Sequence, residues 1–326
     1  MSRDALIRGI GPRKLRGPIA AACALAAFLL VPAGAHGAII FPGGGGSDLV
    51  FEGDLDADPV DPINPVITQE RITVEETGGN LRFTSVNIDL SSLAPCVNVG
   101  GGTITAVVEC PVPDTYTLNM NDGDDQVTID ASVTGPVGFI NGGEGHDEIT
   151  IETERATVTS GGEGGDAIAM GPGDAHSAGG GGGNDTIIGG AGANDIDGGA
   201  GDDSIDGLGG NDLVQGGEDD DILAGGPGDD VVAGGEGDDA IGPFDGGDTD
   251  YDDGADTISG GPGVDDILDE DSDNEIDAGE GDDRVITGAG NDNIIAGSGA
   301  DSVQTGEGDN FVDGGTEDDS ITPGDG

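Results

Sequence analysis

From Gly180 to Gly242, and again from Tyr251 to Thr322, an aliphatic residue returns at every ninth position among glycine, acidic and other polar residues. In the first stretch these places are Ile187, Ile196, Ile205, Val214, Leu223, Val232 and Ile241. In the second they are Ile258, Ile267, Ile276, Val285, Ile294, Val303, Val312 and Ile321. The residue on either side of each is mixed and often polar. Three extended residues therefore turn one side chain inward and two outward. The six residues between strands read Gly-Gly-x-Gly-x-Asp, as in Gly180-Gly181-Gly182-Gly183-Asn184-Asp185 and Gly225-Gly226-Pro227-Gly228-Asp229-Asp230. Glycines at the first, second and fourth places suit a tight turn, because they accept positive φ and close backbone approach. Short strands and turns at a fixed period predict an all-β stack of coils with a thin aliphatic core.

One buried aliphatic side chain per nine ordered residues returns too little to offset the backbone entropy, so another source of stability is required. The sixth place supplies one. It holds Asp185, Asn194, Asp203, Asp212, Asp221, Asp230 and Asp239, then Asp256, Asp265, Asn274, Asp283, Asp292, Asp301, Asn310 and Asp319. With two repeats per coil, every second member of this series stacks on one edge. Bare carboxylates stacked this way repel one another, whereas a hard divalent cation turns them into ligands, and calcium suits flexible sites built from oxygen alone.

These blocks resemble the RTX (haemolysin-type) calcium-binding nonapeptide repeat, GGxGxDxUx. The resemblance implies a parallel β-roll, a β-solenoid of two nonapeptides per coil. It also implies several Ca2+ ions between neighbouring turns, held by the sixth-place residues named above and by turn carbonyls. Looser copies of the phrase around Asp147 and Asp166 extend the ligand set. Neutral asparagine alternates with aspartate along Asp256, Asn274, Asp292 and Asn310, which predicts weaker sites on that edge. The phrase is broken at Asp219 and Glu317, where the fourth-place glycine is lost, and across Asp269 to Asp277, where no glycine remains. The stretch Asp269 to Glu280 also matches the acidic positions of an EF-hand loop. Glycine-rich flanks in place of helices favour a substituted nonapeptide.

Outside the repeats, residues 1–38 read as a signal peptide. A basic stretch precedes the apolar run Ile19 to Val31, followed by small residues from Ala33 to Ala38. The run is shorter than the ~20 residues of a membrane span. Residues 39–117 form a small β region, with alternating stretches such as Arg71 to Val74 and Leu81 to Thr84, that caps the solenoid. Cys96 and Cys110 flank a glycine-rich turn and are expected to form a disulfide in an exported protein; a metal pair or free thiols are the alternatives. Residues 118–179 carry degenerate repeats on wider coils. Residues 180–242 and 251–322 are the two regular blocks, and residues 243–250 are an acidic insertion bulging from one edge.

The chain has 67 acidic and nine basic residues, five of the basic ones within the first sixteen positions. Such acidity excludes nucleic acid as a partner and disfavours anionic membranes. The only histidines are His36, His146 and His176, and there is no zinc-protease motif, nucleophile elbow or phosphate-binding loop. His146 and His176 fall in turn segments and read as solvent-facing. The expectation is a secreted, extracellular calcium-binding protein with no enzymatic activity and no membrane span after cleavage. Its partners would be calcium ions and an extracellular-matrix or cell-surface component. The alternative is a secreted hydrolase or enzyme accessory acting through the amino-terminal region.

Overall fold

Isolated Ile and Val residues between polar neighbours favour short half-buried strands, and among the described residues every regular element of the computed structural model is a β-strand. The described residues are 71–86, 115–120, 122–135, 137–173, 176–242 and 254–324, with strand backbones at 39–42, 48–52, 97–101 and 105–111. The described strands form one 13-stranded and one 15-stranded sheet, and from Thr115–Asn119 onward the chain alternates between them. Asp195–Ala200 lies in the first sheet, Ser204–Asp206 in the second and Leu213–Glu218 in the first again. Ile196 pairs in parallel with Val214, and Ile205 with Leu223, so two nonapeptides make one coil. This is the parallel β-roll that the repeat implied.

The core is one side chain thick. Every eighth-place residue from Ile187 to Val303 is at most 4% exposed. The last coil is less covered: Val312 is half-buried and Ile321 is 44% exposed. Coil length tapers along the roll. Bonded turns are 22 residues apart at Asp125 and Asp147, 19 apart through Asp166 and Asp185, and 18 apart from Asp185 onward. One coil has a spacing of 26, from Asp230 to Asp256 and from Asp239 to Asp265. Both sheets run through it unbroken, with Val232 paired to Ile258 and Ile241 to Ile267. The insertion at 243–250 lies outside the described residues.

At the amino-terminal end, Arg71–Thr77 and Asn80–Val86 form a hairpin, and Arg71–Thr77 pairs in parallel with Gln126–Ile129. Asn80–Val86 continues antiparallel to Thr105–Pro111, which pairs with Val97–Gly101. Ile72, Val74, Leu81, Phe83, Tyr116, Leu118 and Met120 are buried here, a fuller core than any single coil of the roll holds. The Cys96–Cys110 pairing and the segment 1–38 lie outside the described residues. Among the described residues, no helix is long and apolar enough to cross a membrane. Asp266–Asp271 and Glu275–Glu280 are strands of the roll, so the stretch from Asp269 is a substituted nonapeptide with no helices flanking it.

Candidate metal centres

Each turn ends at a sixth-place residue whose side chain faces the neighbouring coil. On one edge, the backbone N–H of each sixth-place residue donates to Oδ1 of the sixth-place aspartate one coil on. The chain of donors runs from Asp147 to Asp166, Asp185, Asp203, Asp221 and Asp239, at 2.7–2.9 Å. It continues from Asp239 to Asp265, Asp283, Asp301 and Asp319 at 2.9–3.1 Å. The opposite edge repeats the arrangement from Asn194 through Asp212, Asp230 and Asp256 to Asn274, Asp292 and Asn310. All the sequence-predicted sixth-place residues therefore fall into two stacked rows. Each from Asp147 to Asp301 is at most 5% exposed, while Asn310 and Asp319, in the last coil, are half-buried.

One carboxylate oxygen is occupied by this ladder and the other is not. Oδ2 of Asp147, Asp166, Asp185, Asp203, Asp212, Asp221, Asp230, Asp239, Asp265, Asp283, Asp292 and Asp301 is buried without a hydrogen-bond donor. A donor-less buried carboxylate oxygen is costly, and twelve of them in rows call for cations. A first-place glycine leaves room beside nine of the twelve, all but Asp283, Asp292 and Asp301. A Cβ at Gly180 would collide with Asp185 Oδ2 and with the carbonyl oxygen of Gly198 on the next coil. The same pair of oxygens closes on Gly198, Gly216, Gly234 and Gly260. Each cradle thus gathers one carboxylate oxygen and one main-chain carbonyl oxygen with no proton between them, a donor set fitted to a hard cation. Among the described residues no three His, Cys, Asp or Glu side chains meet at a point. Backbone oxygens make up the difference.

Burial pushes carboxyls in both rows upward in pKa. Asp185, Asp221, Asp230 and Asp265 rise to about 7, and Asp147 and Asp203 to about 6. Desolvation is the largest cause, the ladder N–H opposes it, and neighbouring carboxylates add to the rise. A bound divalent cation would reverse the shift by favouring the charged form.

Substituted turns keep the backbone path. Asp219, Ser272 and Glu317 stand at the fourth place with φ of 77°, 80° and 81°, and the Asp221 ladder bond survives beside Asp219. His146 is exposed as expected, and its Nδ1 accepts from the N–H of Gly165 at 2.8 Å. His176 is corrected: it is 1% exposed and occupies the sixth-place row one coil before Asn194. Its Nδ1 lies 3.3 Å from the donating N–H of Thr157, the same ladder bond that aspartate makes elsewhere. Burial lowers its pKa, so the neutral ring is favoured. Sequence reasoning also missed the first-place row. From the repeat at 269 to that at 305 it holds Asp269, Ala278, Thr287, Ala296 and Thr305, all buried, where a cradle has glycine. The loss of that glycine was the available signal.

A β-roll whose turns stack buried carboxylates against main-chain carbonyls is a cation-binding solenoid. The family model of the RTX calcium-binding nonapeptide repeat (4 copies) matches residues 179–214, 206–241, 250–285, 259–294, 269–303 and 286–321. The chain carries RTX calcium-binding nonapeptide repeats in several copies, and the regular coils are built from them. No curated protein matches the chain.

Proposed function

We propose that this chain is exported, stays extended where calcium is scarce, and folds into its β-roll on binding several calcium ions outside the cell. The folded roll then serves as a structural or adhesive surface protein and not as an enzyme. The observation that carries the calcium switch is the double row of donor-less Oδ2 atoms. Without cations they oppose the stack, and with cations they join it. The aspartates of both rows and the facing carbonyls would hold the ions, and calcium would supply charge neutralisation and coil-to-coil bridging. Binding to the folded form alone adds RT ln(1 + [L]/Kd) per site, so many sites make folding steep in calcium. Export rests on the amino-terminal basic and apolar segment, and the non-enzymatic role on the lack of any catalytic motif in the sequence. Far-ultraviolet circular dichroism of the chain during a calcium titration, with magnesium as control, is the test. A cooperative coil-to-β transition specific to calcium is expected. A spectrum already β-rich in chelator at pH 8, or one that calcium leaves disordered, sinks the reading.

A further inference from the structure

The two rows differ in that asparagine enters only the second. At Asn274 and Asn310 the side-chain Oδ1 accepts the ladder N–H at 2.8 Å, from Asp256 and Asp292 respectively, just as aspartate Oδ1 does. This fixes the amide orientation, so Nδ2 stands where aspartate places its donor-less Oδ2. Asn274 Nδ2 donates to Asp269 Oδ1 at 2.6 Å and to the Ser272 carbonyl at 3.3 Å. Asn310 Nδ2 donates to the Gly306 carbonyl at 3.4 Å. Asn194 Nδ2 donates to the carbonyls of Gly190 and Gly192, and to Asp212 Oδ1 of the next coil at 3.1 Å, while its own Oδ1, a neutral amide oxygen, is buried without a donor. In each case an N–H group converges on carbonyl or carboxylate oxygens at the turn, where aspartate offers a further negative oxygen.

We propose that Asn194, Asn274 and Asn310 close their turns without a cation, the side-chain amide standing in for the metal. The inference rests on the calcium reading of the aspartate turns and refines it by separating ligand turns from metal-free ones. An amide supplies two N–H donors and carries no charge, so it satisfies turn oxygens that otherwise need a cation. The repeat at 269 carries the exchange furthest. Its first place is Asp269 where a cradle has glycine, its sixth is Asn274 where a cradle has aspartate, and the two side chains bond to each other. Carboxylate and cation have been replaced by carboxylate and amide. The second edge therefore carries fewer calcium ions than the first, and its asparagine turns hold when calcium is removed.

Calcium bound per chain, measured by elemental analysis after equilibrium dialysis of the full chain, tests this with opposed substitutions. Asn194→Ala is expected to leave the count of bound calcium unchanged, whereas Asp221→Ala lowers it by at least one. Asn194→Asp restores a glycine-first, aspartate-sixth turn and is expected to raise the count by one. A fall in the count for Asn194→Ala overturns the inference, because it makes the asparagine a ligand. No gain for a folded Asn194→Asp overturns it equally, and if Asn194→Asp does not fold, the contrast between Asn194→Ala and Asp221→Ala alone decides. A wild-type chain that binds no calcium overturns the calcium reading itself, and is recognised by Asp221→Ala having nothing to lose.

Discussion

In calcium-free buffer, lowering the pH from 8 to 5 will increase the β-structure of this chain, the opposite of ordinary acid denaturation. The aspartates responsible are buried in the folded roll, where Asp185, Asp221, Asp230 and Asp265 have pKa values of about 7, and Asp147 and Asp203 of about 6. In the unfolded chain they return to the ordinary carboxylate value of about 4. Between those limits the folded state binds more protons than the unfolded one, so stability falls as pH rises through this window. A proton on Oδ2 also gives that buried oxygen a donor to direct at the facing carbonyl. The contribution is fully present below about pH 4 and lost above about pH 7. Calcium competes with these protons. Because protons and calcium stabilise the same folded form, the calcium concentration needed to fold the chain should fall as pH drops below 7, while the folded roll's apparent affinity for calcium weakens. Circular dichroism at pH 5 and pH 8, with and without calcium, checks both parts. A calcium-free chain that loses β-signal on acidification would show that the rows are not proton-loaded in the fold.

Replacing Gly217 by alanine will split the stack in its middle. Gly217 has a φ of 133°, a region that is essentially reserved for glycine, and a Cβ there would collide with the Gly199 carbonyl of the preceding coil. Backbone conformation alone costs on the order of 1–3 kcal/mol, and the carbonyl cannot swing aside as a side-chain tip could. A total loss of at least about 3 kcal/mol is expected, concentrated in the coils either side. Leu208 shows that the second place is not closed to side chains in principle, but it sits at a φ of 67°, within the left-handed basin that other residues visit. Urea unfolding in saturating calcium, with Glu218→Ala at the adjacent exposed place as control, measures the difference. The control should stay within about 0.5 kcal/mol of the parent. Equal midpoints for the two variants would mean that the coils are not held as close as their backbones indicate.

The aliphatic row and the sixth-place row were both legible in the sequence, because each depends on the nine-residue period alone. Ile187 to Val303 became the core, and Asp185 to Asp319 became one ladder edge, with no tertiary information required. What periodicity could not supply is which oxygen of a carboxylate does what. The split between a ladder-bonded Oδ1 and a donor-less Oδ2 arises only when coils stack. His176 was misread for the same reason: with 19 residues to Thr157, its coil falls out of the regular phrase, and its place in the row becomes visible only through strand pairing. Asp269 looked like a broken repeat. Its pairing with Asn274 links the first place to the sixth, and no pattern of single positions reveals that link.

Uniform coil spacing also governs how the roll yields to force. Each coil is held mainly by the one before and the one after, so tension along the chain detaches coils singly from an end and does not shear the whole stack at once. Every regular coil released frees 18 residues, about 60 Å of contour. The lengthened coil frees 26, about 90 Å, so one longer step interrupts the even staircase of 18-residue coils. A roll of this design gives up length in metered amounts.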